Sequence, residues 1–173
     1  MSNPLRVTAH GDLEIVMTRI FDAPRSLVFD AWTKPELLQR WLGVHSGWTM
    51  PVCEVDLRVG GAYRYVWRGP DGMEMGVSGV FLEVVVPERI VTTEKFDQAW
   101  YPGGALVTHV LTEHDGRTTC TINLRYDSTE ARDAVLASPM ESGFGAGCMK
   151  LDELLASLAG RGSRTVDRLP AAL

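Results

Sequence analysis

The chain has 173 residues, 45% of them apolar and 23% charged, which are the proportions of a folded globular domain and exclude disorder along its whole length. A chain this long buries roughly 70% of its unfolded surface, so it needs neither a disulfide nor a metal to fold. With 17 basic against 22 acidic residues, net −5, it lacks the cationic excess of a protein built to hold phosphate backbones, and no nucleic-acid partner is expected.

Residues 1–11 are polar and unpatterned. Residues 160–173 carry Arg161, Arg164 and Arg168 among small residues. Both segments read as flexible tails around one domain, 12–159. Residues 13–21 alternate, with Leu13, Ile15 and Met17 on one side, as in a strand. Asp22-Ala23-Pro24 starts a helix with Leu27, Val28, Ala31 and Trp32 at helical spacing. Lys34-Pro35 breaks it and opens a second short helix with Leu37, Leu38, Trp41 and Leu42, ended by Gly43.

Strand and turn then alternate from Val52 to Tyr126. Tyr63, Tyr65 and Trp67 share one face of a strand that follows the Gly60-Gly61 turn. Pro70-Asp71-Gly72 leads into a long strand, 73–86, in which Gly76 and Gly79 mark bulges or bends. Pro87-Glu88 leads into the strand 89–96. The strands 105–113 and 117–126 flank Asp115-Gly116, a strong hairpin signal. The last element is helical, capped by Ser128 or Thr129 and interrupted at Pro139. Its apolar stripe includes Val135, Met140, Phe144, Cys148, Leu151 and Leu155. The expected fold is α+β: a curved antiparallel sheet of six to seven strands around a long C-terminal helix, with two short helices after strand one.

The Asp115-Gly116 turn fixes register. Leu111 faces Cys120, His109 faces Ile122 and Val107 faces Leu124. These positions are apolar and point inward, and they carry His109 with them. His109 is either a core histidine bonded to a neighbour or a polar contact inside a cavity. On the preceding strand Ile90, Thr92, Glu94 and Phe96 share a face. If Phe96 points inward, Glu94 does too, and it then needs His109, Arg64 or a ligand cation as partner. If the strand lies near an edge, Glu94 is solvated instead. Gly143, Gly145 and Gly147 around Phe144 leave a bare helix face, suited to close packing or to a ligand.

No apolar run reaches the roughly 20 residues of a membrane-spanning helix, and no secretory signal is visible, so a cytoplasmic location and no membrane partner are expected. Cys53, Cys120 and Cys148 are odd in number and widely spaced, against a disulfide framework or a CxxC zinc site. His10, His45, His109 and His114 show no metal-site pairing. No metal and no cofactor are expected. Cys120 or Cys148 beside His109 reads as an apolar filler or as half of a thiolate–imidazole pair.

The order Phe21-Asp22-Ala23-Pro24, Val28-Phe29-Asp30-Ala31-Trp32, Pro35-Glu36-Leu37 and Arg40-Trp41 continues as 56–65, Pro70-Asp71-Gly72, 87–91 and Tyr101-Pro102-Gly103. It ends with 132–136 and 151–155. Together these stretches resemble the helix-grip fold of the START-like (SRPBCC) superfamily. Within it they resemble the bacterial branch named after the activator of the heat-shock-protein-ninety ATPase, over residues 13–157. The resemblance implies a hydrophobic cavity between sheet and C-terminal helix, without implying one reaction.

The expected function is binding of a small hydrophobic or aromatic molecule there. Trp41, Tyr65, Trp67, Met75, Phe96, Met140, Phe144 and Cys148 would line the cavity, with Glu94 and His109 as polar contacts. One alternative is a polyketide-cyclase-like or hydrolase-like enzyme with His109 or Glu94 as general acid or base. Another is a chaperone-regulating interaction module. An exposed edge strand would permit a homodimer.

Overall fold

The computed structural model describes residues 3–166. β1 (Arg6–His10) and β2 (Glu14–Phe21) form a hairpin, followed by α1 (Arg25–Thr33) and α2 (Pro35–Leu38). Then come β3 (Thr49–Val55), β4 (Ala62–Arg68), β5 (Glu74–Val85), β6 (Arg89–Phe96), β7 (Ala105–His114) and β8 (Arg117–Tyr126). The chain closes with α3 (Thr129–Leu136) and α4 (Met140–Val166). The strands make one antiparallel sheet in the order β1-β2-β8-β7-β6-β5-β4-β3.

The α+β layout with two helices after an early strand and a long last helix is as expected, but the sheet has eight strands rather than six to seven. The added strand is β1, inside the stretch read as an unpatterned tail. It is a short edge strand in which only Val7 is partly buried against the core, so it lacks the alternation that marks a half-buried strand. At the other end α4 continues past Gly160 as far as Val166. Folded structure therefore extends beyond 12–159 on both sides. The remainder of the two expected tails, residues 1–2 and 167–173, lies outside the described residues.

Local chemistry explains the boundaries. Lys34, at ψ 120°, ends α1 because a residue before proline avoids the helical region. Pro35 then opens α2. Ser128 caps α3, its Oγ accepting from the Ala131 N–H at 3.1 Å. Asp115 and Gly116 both have positive φ, 50° and 72°, the requirement of a two-residue hairpin turn whose twist matches its strands. The register follows as expected, with Leu111 opposite Cys120, His109 opposite Ile122 and Val107 opposite Leu124.

The core joins β2 and β8 to the helices. Ile15, Phe21, Cys120, Val28, Leu38, Trp41, Cys148 and Leu151 are all buried. Of Gly143, Gly145 and Gly147 at the start of α4, Gly147 is the one pressed closest, since a Cβ there would lie 3.2 Å from the Trp41 carbonyl oxygen. One inward position on β2 is charged. Arg19 is only 6% exposed and bridges to Asp152 of α4 at 2.5 Å, with its guanidinium 5.0 Å from the centre of the Phe21 ring. This pair fixes the helix over the β2–β8 half of the sheet. Asp152→Ala leaves the buried guanidinium with the Ile20 carbonyl as its remaining partner and no counter-charge, and urea denaturation should show a loss of about 1–3 kcal/mol. An unchanged midpoint would mean that the bridge does not hold α4 in place.

Candidate functional site

Between the inner face of the sheet, α1 and the start of α4 lies an open cavity of about 250 Å³. Alternation dictates which sheet residues reach it. Tyr63, Tyr65 and Trp67 enter from β4, Val77 and Phe81 from β5, and Ile90, Thr92, Glu94 and Phe96 from β6. Val107 and His109 of β7 face it beside Ile122, Leu124 and Tyr126 of β8. Trp32, Val135, Met140 and Phe144 close it from the helical side. Trp100 and Tyr101, from the loop after β6, line it as well, and Trp100 is 48% exposed, so its ring sits at the border with solvent.

Sheet register arranges the polar groups. Glu94 pairs with Ala105 across β7, and Ala105 pairs with Tyr126 on β8. On the other side the pairs Val77 with Phe96 and Ser78 with Lys95 continue to place Gly79 beside Glu94, and Gly79 pairs with Tyr63. One row across the sheet therefore reads Tyr63, Gly79, Glu94, Ala105, Tyr126. The residues on either side of the carboxylate are the two smallest available. Tyr63 uses the space over Gly79 to donate its hydroxyl proton to the Thr93 carbonyl at 2.8 Å. A Cβ on Gly79 would stand 2.5 Å from Tyr63 Cε1 and collide with the Thr93 carbonyl oxygen.

The Glu94 carboxylate makes no hydrogen bond or ion pair among the described residues. Arg64, one of its expected partners, instead forms a two-pronged pair with Asp97 at 2.7 and 2.6 Å. His109, another, pairs with Ile90 on β6, four residues from Glu94. That separation is about 13 Å along the sheet. Burial pushes the Glu94 carboxyl up to about 7. It also raises the Tyr63, Tyr101 and Tyr126 hydroxyls, with the Glu94 charge adding to the shift. The edge-on ring pair of Tyr101 and Tyr126, 5.4 Å apart, completes this end of the cavity.

The other end is built around His109. Burial lowers its pKa to about 4, so the ring is neutral at physiological pH. It lies 4.8 Å from the Trp32 ring. His109 Nδ1 and Trp32 Nε1 are both buried without a hydrogen-bond partner among the described residues, as is the Tyr101 hydroxyl.

Of the residues expected at the site, Tyr65, Trp67, Glu94, Phe96, His109, Met140 and Phe144 meet in this cavity. Three do not line it. Trp41 is wholly buried behind Trp32, ring centres 4.7 Å apart, and donates to the Ala31 carbonyl at 3.0 Å. Met75 pairs with Trp67 but is 39% exposed near the start of β5. Cys148, one turn beyond Phe144, is in the core with its thiol pushed up to about 12 by burial. Burial likewise raises the Cys120 thiol, so neither supplies a thiolate beside His109. Trp32 and Tyr126 were not expected. The hairpin register extended to Ala105 does place Tyr126 inward, whereas helical spacing alone says nothing of which face of α1 meets a cavity.

Glu94 gives a pH-dependent test. Between its ordinary value of 4.5 and about 7, the folded protein holds a proton that the unfolded chain has lost. Stability therefore falls as pH rises through that window. Glu94→Gln should raise Tm on the order of 3 °C at pH 8 and leave it unchanged at pH 4. A difference independent of pH would show that the carboxyl is not desolvated.

Among the described residues, no three His, Cys, Asp or Glu converge on a metal site, and no helix is long and apolar enough to cross a membrane. No curated protein matches the chain. Several solved structures do. A protein from Rhodobacter sphaeroides is 32% identical over 90% of this chain and 99% of its own, with a TM-score of 0.85. Protein Ms6760 from Mycobacterium smegmatis is 26% identical over 88% and 97%, with a TM-score of 0.78. Protein NE0264 from Nitrosomonas europaea is 28% identical over 88% and 99%, with a TM-score of 0.77. Residues 22–156 match the family described as Activator of Hsp90 ATPase homolog 1-like protein. With the helix-grip architecture and a match over most of its length, the chain belongs to that family, a bacterial branch of the START-like superfamily.

Proposed function

We propose that this protein binds a small, flat, largely apolar molecule between the sheet and α4. The observation that carries this reading is where its unsatisfied groups lie. Among the described residues, the buried side-chain polar atoms without a partner, on Trp32, Tyr101 and His109, all belong to residues lining one cavity. A packing defect has no reason to collect them, whereas a binding site needs a few convergent polar groups in an apolar wall. The volume of about 250 Å³ bounds the ligand. An apolar cavity of about 150 Å³ holds benzene, so this one suits one or two rings.

A second reading shares the cavity. A carboxyl with a pKa of about 7 is suited to general acid or base work at neutral pH. In that reading Glu94 carries the proton and His109, neutral and about 13 Å away, orients the substrate. The family description names a regulator of a chaperone ATPase. The open cavity favours a small ligand over a role confined to protein contact.

Titration with an environment-sensitive apolar fluorophore tests the proposal. One-to-one binding is expected, and Leu124→Trp, which pushes an indole into the cavity, should weaken it at least tenfold without loss of fold. Ile122→Phe serves as a second filling variant. Binding indifferent to both substitutions would place the ligand elsewhere.

A further inference from the structure

We propose that the Glu94 end of the cavity seats an organic cation, the ammonium group of an aromatic or alkyl amine, between the carboxylate and the surrounding ring faces. This rests on the small-molecule reading above and adds the class of ligand.

Four features converge on it. First, the carboxylate faces an apolar space in which no Lys or Arg is among the lining residues. Arg64, on a non-lining position of β4, is bound to Asp97, and Lys95 alternates away from Glu94 and is exposed. An acid held for structural reasons is normally given a counter-charge or hydrogen bonds. Second, its neighbours in the sheet are Gly79 and Ala105, so nothing covers it from the adjacent strands. Third, the space is walled by rings. Tyr63 and Tyr65 stand 5.0 Å apart, Phe96 and Trp100 5.2 Å, and Trp100 and Tyr101 5.1 Å. Ring faces attract ammonium groups, most strongly where water is excluded. Fourth, the Tyr63 hydroxyl donates to the Thr93 carbonyl and its oxygen accepts from the Thr92 side chain, so towards a ligand it offers only its remaining acceptor capacity. A carboxylate and an acceptor-only phenol call for a ligand rich in donors. The net charge of −5 adds a weak general attraction for cations.

The titratable groups facing Glu94 are Tyr63 and Tyr65 from β4, Tyr101 from the loop after β6 and Tyr126 from β8, all with raised pKa values. They remain neutral at pH 8, where the carboxyl is mostly ionised.

The experiment compares 2-phenylethylamine with 2-phenylethanol, a neutral molecule of nearly the same shape, by calorimetry on the full chain at pH 8 and low salt. The amine is expected to bind at least tenfold more tightly. Glu94→Gln should reduce that preference to within about twofold while the circular dichroism spectrum stays unchanged. Glu94→Asp should keep part of it. Equal affinities, preference for the alcohol, or a preference that survives Glu94→Gln would overturn the cation site. If the apolar fluorophore still binds in those cases, the small-molecule reading stands without it. If amine, alcohol and fluorophore all fail to bind, both fall together.

Discussion

A single α-helix is about 10–12 Å across, whereas eight strands spaced about 4.8 Å apart span about 34 Å. One helix cannot cover such a face, and everything at the site follows from where α4 is held. The Arg19–Asp152 bridge ties it to β2. The largest fully buried side chains reflect the same bias. Ile15, Phe21, Thr118 and Cys120 come from β2 and β8, Val28, Leu38, Cys148 and Leu151 from the helices, and Trp41 from just after α2. None of them comes from β3 to β7. The inner surface of β4 to β6 is left to aromatic side chains that wall a space without filling it.

Sheet geometry then decides what chemistry that space can hold. A register sets neighbours across strands and distances along them. Across the strands it puts Gly79 and Ala105 beside Glu94 and tyrosines beyond them, so the carboxylate stands bare with hydroxyls at its flanks. Along the strands it separates Glu94 from His109 by four residues. The two groups cannot share a proton directly. A molecule that touches both must be apolar in the middle and polar at its ends.

Much of this was legible in the sequence. The Asp115-Gly116 turn demands positive φ at two positions, and that local requirement set the pairing that turns His109 inward. Alternation put Tyr65 and Trp67 on one face with Tyr63. Glu94 stood out because its face also carries Ile90 and Phe96. What failed were questions that local periodicity cannot answer. Phe144 and Cys148 share a helix face, but one meets the cavity and the other the core, because α4 closes on Trp41 between them at Gly147. Trp41 looked like a lining residue, yet Trp32 stands in front of it. The partner of Glu94 could not be read either, since Arg64 and Asp97 meet only once β4 and β5 have paired and the chain has turned back through β6.

The unsatisfied groups tie the proposed binding to the stability of the fold. Leaving a buried donor or acceptor without a partner costs about 1–3 kcal/mol, and a charged one costs more. Such costs are tolerated where a strained or polar arrangement serves a site. Here they fall on Trp32, Tyr101 and His109, with the bare Glu94 carboxylate in the same space. A ligand supplying the missing partners would recover part of that free energy on binding, and linkage requires the folded state to be stabilised in proportion to its occupancy. Affinity and fold stability are thus coupled through the same few atoms. A substitution that relieves one of them should strengthen the empty protein as it weakens the complex, which is the opposite of what a purely structural residue would do.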